Sequence, residues 1–317
     1  MTKKIAFLFP GQGSQAVGML NAFKSNQFTA SVYATAALEA EQALGQDLAA
    51  LIEQGPAESL NLTTNTQPAM LMADVLVLRA WLAAGGAMPN LVAGHSLGEY
   101  AALVAAGVFS LSEGLGLVRI RAQAMQEAVP VGVGAMAALL GLDFETARTV
   151  AQEAAQGEVC QAANDNDPSQ VVVSGHRSAV ERALIIAKER GAKRAMLLPV
   201  SAPFHCVLMA PAADVMAIAL ERVDITMPDV PLVSNVSASA VTNPADIRSL
   251  LVSQVTGSVR WRESVSYMAA QGVTEIWEIG AGKALSGMIR RIDKSIVTHA
   301  VGAPDDIKVA AAALMAE

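Results

Sequence analysis

The chain has 317 residues, 53% of them hydrophobic and 16% charged, with a formal net charge of −7. That length can bury a large core, and the composition excludes a disordered segment or a nucleic-acid-binding domain, which would be charge-rich or basic. An acidic total also means that an acidic partner would have to be met by a local basic patch.

Met1-Thr2-Lys3-Lys4 runs directly into Ile5-Ala6-Phe7-Leu8-Phe9, with no long apolar signal core before it. An uninterrupted apolar run of this length predicts a strand buried on both faces, as in a parallel sheet. Pro10-Gly11-Gln12-Gly13 closes it, and helical patterns follow over 27–44 and 68–84. The uncharged stretch 80–98 is interrupted by Gly85, Gly86, Pro89, Asn90 and His95, so it reads as a helix end, a loop and a buried strand. It is no membrane span, which needs ~20 apolar residues without such breaks. A further helix is expected over 112–128, opened by Ser112 with Glu113 in its first turn.

The pattern changes after Val129-Pro130-Val131-Gly132. A strand at 135–142, a helix at 143–156, strands at 158–163 and 170–174, a helix at 178–190 and a strand at 192–199 follow. Strand-helix-strand-strand-helix-strand is the ferredoxin-like order. Asn164-Asp165-Asn166-Asp167-Pro168-Ser169 has the chemistry of its hairpin turn. Helices at 207–222, 244–254, 262–271 and 283–291 and strands at 231–234 and 274–279 complete the chain. The expected fold is α/β: a large α/β-hydrolase-like domain with a central parallel sheet over 1–130 and 199–317, interrupted by a small ferredoxin-like subdomain over 131–198. The cleft between the two is the natural place for a site.

Chemistry concentrates at Gly94-His95-Ser96-Leu97-Gly98, a G-x-S-x-G pentapeptide between an apolar run, Leu91-Val92-Ala93, and a helix-forming run from Glu99. In a strand–turn–helix context this pattern is a nucleophile elbow, with Ser96 Oγ pointing outward and the Leu97 amide free at a helix N-terminus. The other reading is a glycine-rich connection with Ser96 as an N-cap. A serine nucleophile needs a base. Of His95, His176, His205 and His299, the sequence favours His205, in the proline-bounded loop Pro199–Cys206 at the lobe junction; a structural loop histidine is the alternative. Cys160 and Cys206 match no metal spacing and point to a reduced, cytoplasmic compartment.

Six motifs taken in order resemble one family, the malonyl-CoA:acyl carrier protein transacylases. They are Phe9-Pro10-Gly11-Gln12-Gly13-Ser14-Gln15, Thr66-Gln67-Pro68-Ala69, Gly94-His95-Ser96-Leu97-Gly98-Glu99, Ser201-Ala202-Pro203-Phe204-His205-Cys206, Val259-Arg260-Trp261 and Glu278-Ile279-Gly280-Ala281-Gly282-Lys283. The resemblance implies that Ser96 attacks the thioester of malonyl-CoA while His205 takes its proton, with the oxyanion held by the Gln12 and Leu97 amides. It implies that Arg121 grips the malonyl carboxylate. Arg119, about 200° away around the same helix, is then a surface arginine. The resemblance also implies that the Gln254 backbone carbonyl replaces the usual carboxylate behind His205, with Gln67 in the same supporting layer. Phe204 would narrow the pocket around the acyl group; stand-alone members of the family often carry serine there, so this position departs from their pattern. No metal and no resident cofactor are implied, the substrates being malonyl-CoA and the phosphopantetheine arm of an acyl carrier protein. The expected protein is a cytoplasmic monomer that binds neither nucleic acid nor membrane. Rival readings are an acyltransferase serving a polyketide synthase or a malonate decarboxylase, a serine hydrolase, and an inactive scaffold that only binds carriers. The basic cluster Lys188, Arg190, Lys193 and Arg194 is a candidate carrier-docking patch, or simply a helix end with favourable cations.

Overall fold

A computed structural model of the chain describes residues 3–315. Strand β1 (Ile5–Phe9) sits inside a six-stranded sheet with β2 (Leu91–Gly94) on one side. The small sheet comes next in the chain: β3 (Gly134–Leu140), β4 (Cys160–Asp167), β5 (Gln170–His176) and β6 (Arg194–Leu197). The large sheet is then completed by β7 (Leu232–Val233), β8 (Ala240–Val241), β9 (Glu275–Ile279) and β10 (Val297–Val301).

The large sheet runs β10-β9-β1-β2-β7-β8, parallel throughout except at the β7–β8 edge. Four of the five residues of β1 are fully buried, as a parallel strand covered on both faces requires. Its register sets Phe9 opposite Gly94, so β1 and β2 end side by side. The glycine-rich loop after β1 and the elbow after β2 therefore leave the sheet together, at the carboxyl ends where open α/β sheets bind ligands.

The small sheet runs β4-β5-β3-β6, and every pair is antiparallel. Alternation along β3 divides its two faces. Ala135, Ala137 and Leu139 pack with Val150, Val180 and their neighbours on the helices Phe144–Ala155 and Arg177–Glu189. Met136 and Ala138 face the other way and line the cleft against the large sheet.

Two sequence expectations are corrected here. The helix at 111–128 is capped by Ser110, not Ser112: Ser110 Oγ accepts from the Glu113 amide at 3.2 Å and the Glu113 carboxylate accepts from the Ser110 amide at 2.8 Å. Asn164–Asp167 are not a hairpin turn but the last residues of β4, leaving only Pro168 and Ser169 to turn the chain. Three of the four side chains find partners outside the small sheet, Asn166 accepting from His95 Nε2 at 2.8 Å. Asp165 is held by Arg262 at 2.8 Å and Asp167 by Arg291 at 2.7 Å. A short backbone bridge joins the same edge, with the Asp165 amide donating to Val259 O and the Val259 amide to Ala163 O, each at 2.9 Å. Both cysteines are buried and free. No helix among the described residues is long and apolar enough to cross a membrane.

Candidate active site

The chain leaves β2 through a tight elbow. Ser96 has φ +53°, a left-handed conformation that a non-glycine residue adopts only where its surroundings fix it. A Cβ on Gly94 would fall 1.9 Å from the Gly98 carbonyl group, and one on Gly98 would fall 2.1 Å from Phe9 O. The turn closes because neither exists. Asn235, just after β7, braces the elbow: its Oδ1 accepts from the Ser96 amide at 2.7 Å and its Nδ2 donates to Gly94 O at 2.6 Å. With the Ser96 amide engaged, the Leu97 amide is the one left at the start of the helix Gly98–Ala105. Neither the Leu97 nor the Gln12 amide has a partner among the described residues, and both residues line the cleft.

His205 arrives on the loop returning from the small sheet, also at positive φ (+59°). Its Nε2 lies 2.7 Å from Ser96 Oγ, and its Nδ1 lies 2.9 Å from Gln254 O and 3.2 Å from Gly257 O. Carbonyl oxygens only accept, so Nδ1 carries the proton and Nε2 presents its lone pair to the serine hydroxyl. Burial, reinforced by the neighbouring Arg121 charge, lowers the pKa of the ring to about 3. The imidazole is thus a neutral base at physiological pH.

Arg121, from the helix Leu111–Ala128, is buried and held at three points. Nη1 donates to Gln67 Oε1 at 2.7 Å, and Nη2 to Gln254 Oε1 at 2.9 Å and to Ser96 Oγ at 3.2 Å. Its Nε–H has no acceptor among the described residues, which leaves spare donor capacity on the edge shared with Nη2. The Tyr100 ring lies 5.7 Å from the guanidinium. Gln67, expected near His205, belongs instead to Arg121. Its Nε2 donates to Thr63 Oγ1, which donates in turn to Gln12 Oε1, each at 3.0 Å. The arginine and the glycine-rich loop are thereby linked. Arg119, expected at the surface, is half-buried and donates to Gln46 Oε1 at 2.7 Å.

The remaining histidines are occupied elsewhere. His95 donates from Nε2 to Asn166 Oδ1 at 2.8 Å and packs on Trp261; His176 Nδ1 accepts from the Val159 amide; His299 stacks on Trp277. Phe204 lines the cleft of about 270 Å³, together with Met136, Val172, Leu198 and Val200. Ala284, Leu285 and Met288 also belong to its rim. That rim helix is fixed by buried Glu278, which accepts from the Leu285 and Ser286 amides at 3.0 and 2.8 Å. Lys188, Arg190, Lys193 and Arg194 do not line the cleft, and Arg190 pairs with Glu153 at 2.7 Å.

Three residues escaped sequence reasoning as site residues: Glu99, Asn235 and Asn166. Burial raises the Glu99 carboxyl to about 7, against hydrogen bonds from Gln254, the Asn235 amide and Ser234 and the charge of Arg121. Glu99 stood in a quoted motif, but nothing in spacing shows that a helix carboxylate points inward.

The acyl transferase domain family matches residues 6–305. The malonyl CoA-acyl carrier protein transacylase of Escherichia coli strain K12 is 49% identical over 308 residues, 97% of this chain and 98% of that protein. The chain belongs to the malonyl CoA-acyl carrier protein transacylase family. The crystal structure of an acyl-carrier-protein S-malonyltransferase from Burkholderia pseudomallei is 52% identical, with a TM-score of 0.94 covering 98% of this chain and 99% of that one. A malonyl-transacylase solved in complex with a type II PKS acyl-carrier protein is 44% identical, with a TM-score of 0.95 over 98% of this chain and all of that one. The mixed α/β architecture of this transacylase family, a mostly parallel central sheet beside a small antiparallel one, is the one described above.

Proposed function

We propose that the chain transfers a malonyl group from malonyl-CoA to the phosphopantetheine thiol of an acyl carrier protein, by way of an ester on Ser96, and so supplies fatty acid synthesis. The observation that carries this reading is the placement of Ser96 Oγ between a neutral imidazole at 2.7 Å and a buried guanidinium at 3.2 Å. The imidazole can take the serine proton, and the guanidinium can hold an acyl group that bears its own carboxylate. The named relatives support the same substrates.

On this reading Ser96 Oγ attacks the thioester carbonyl as His205 Nε2 accepts the hydroxyl proton. The Gln12 and Leu97 amides hold the oxyanion, each worth roughly 3–4 kcal/mol of transition-state stabilisation. The tetrahedral adduct collapses with loss of the coenzyme A thiolate, which takes the proton back from His205. The carrier thiol then gives its proton to His205 and attacks the Ser96 ester, reversing the sequence. Phe204 and the small-sheet wall shape the acyl pocket, and Gln254 O keeps the imidazole in the required tautomer. No step calls for a resident cofactor. We assign 131–198 as a ferredoxin-like lobe inserted between 1–130 and 199–317, on the strand order of the small sheet. The compartment proposed is the cytoplasm, where two free cysteines stay reduced, and the enzyme is proposed to act as a monomer.

The test is an intact-protein mass spectrum after incubation with malonyl-CoA. The wild-type chain should gain one malonyl group and lose it when unloaded carrier is added. Ser96→Ala should gain none; persistent labelling of that variant would place the nucleophile elsewhere.

A further inference from the structure

Glu99 lies three residues beyond Ser96, in the first turn of the elbow helix, and is completely buried. Besides Ser234, it accepts from the Asn235 backbone amide, at 3.3 and 3.4 Å, and from Gln254 Nε2 at 2.7 Å. The Gln254 amide is the junction. Its nitrogen donates to Glu99 Oε2 and to Ser96 O, at 2.7 and 2.8 Å, while its oxygen accepts from Arg121 Nη2 at 2.9 Å. Rotating that amide by half a turn would face its oxygen toward two acceptors and its nitrogen toward a guanidinium, so the partners dictate one orientation. Of the two acceptors on the nitrogen side, Glu99 is the one that can carry charge, and charge-assisted hydrogen bonds are the stronger ones.

We propose that Glu99 is a positioning residue that sets acyl-group specificity: by anchoring the Gln254 amide nitrogen it turns the amide oxygen onto Arg121 and holds the guanidinium beside Ser96 for an anionic acyl group. The proposal rests on the malonyl-transfer reading. The relay has a chemical advantage over a direct ion pair. A carboxylate bound to Arg121 itself would occupy the donors that an acyl carboxylate needs. A neutral amide between the two transmits position and leaves the cation available. An uncharged acyl group such as acetyl makes no demand on the guanidinium, so it is largely indifferent to the relay.

Glu99→Gln preserves volume and removes the charge. Its malonyl-CoA and acetyl-CoA transfer should be compared with wild type and with Arg121→Ala, which sets the floor. The expected result is a fall of at least about tenfold in the malonyl-to-acetyl ratio of kcat/KM, toward the Arg121→Ala value. A carboxylate with a merely structural role would lower both substrates by one factor; a ratio within threefold of wild type overturns the proposal. Should Glu99→Gln not fold, Gln254→Met carries the test, because it deletes the relay amide and keeps the backbone carbonyl under His205. It must show the same loss of ratio, and an unchanged ratio again overturns the proposal. Absence of a malonyl adduct on Ser96 in the wild type would overturn the transfer reading itself and this proposal with it. A wild-type adduct with unchanged ratios in the variants overturns the role of Glu99 alone.

Discussion

His205 illustrates how a side chain is tuned by what surrounds it. Only the neutral ring accepts a proton, and its pKa is lowered by burial to about 3, so the active form persists as pH falls far below the ordinary histidine range. Single-turnover acylation of Ser96 by saturating malonyl-CoA should therefore show no loss centred near ~6.5, the ordinary histidine value. A rate that halves there would mean a hydrated imidazole. The same shift has a stability consequence of definite sign. The unfolded chain takes up a proton on this histidine as pH falls below ~6.5 while the folded chain does not. The stability contributed by the neutral buried ring is complete above that pH and is progressively lost down toward about 3. Gln254 adds a second lesson at this scale, since one residue supports the base with its backbone oxygen and the arginine with its side chain.

Among the elements, the elbow is the one whose sequence and geometry constrain each other most tightly. A methyl group on Gly94 would meet backbone atoms of Gly98 and Glu99 at 1.9–2.4 Å, none of which can rotate away. Gly94→Ala should cost at least ~3 kcal/mol, the upper range for overpacking a closed site. It should also abolish the Ser96 adduct, read by a thermal melt and the mass spectrum together. A stable, acylating Gly94→Ala protein would mean that the turn can open without loss. This element was legible in the sequence because its requirement is local: small residues at two fixed positions between a buried strand and a helix. The strand-helix alternation was legible for similar reasons, whereas His205 stood out only by its place at the lobe junction and by the family resemblance. Other features were not, because their causes are distant in the chain. Asp165, Asn166 and Asp167 carry turn chemistry, yet lie in a strand, where Arg262, His95 and Arg291 partner their side chains. Asn235 gives no sign in its own neighbourhood that it braces a serine 139 residues away. The edge strands β8 and β10 and the helix Pro304–Met315 passed unnoticed, being short or part-exposed and weakly patterned.

Across the whole molecule, the seam along β4 is one of the ties between the two sheets. Asp165 and Asp167 have almost no exposed side-chain surface, whereas Arg262 and Arg291 remain about one-third and one-half exposed. Removing one arginine leaves a buried carboxylate without its charged partner, a loss of roughly 1–3 kcal/mol. Arg291→Ala should speed hydrogen exchange along β4 and at Val259 while leaving β1 and β2 protected. Asp167→Asn in the same chain should restore part of the protection. Unchanged exchange along β4 would show that the backbone bridge to Val259 suffices by itself. The two cysteines have a practical consequence for such measurements. Cys206 Sγ is buried against Pro203 O at 3.2 Å, and burial pushes both thiols up, Cys160 to about 12. A maleimide dye finds no reactive native target on the folded protein, so one cysteine introduced at exposed Met227 would be the sole attachment point for fluorescence work, with both natural cysteines left in place.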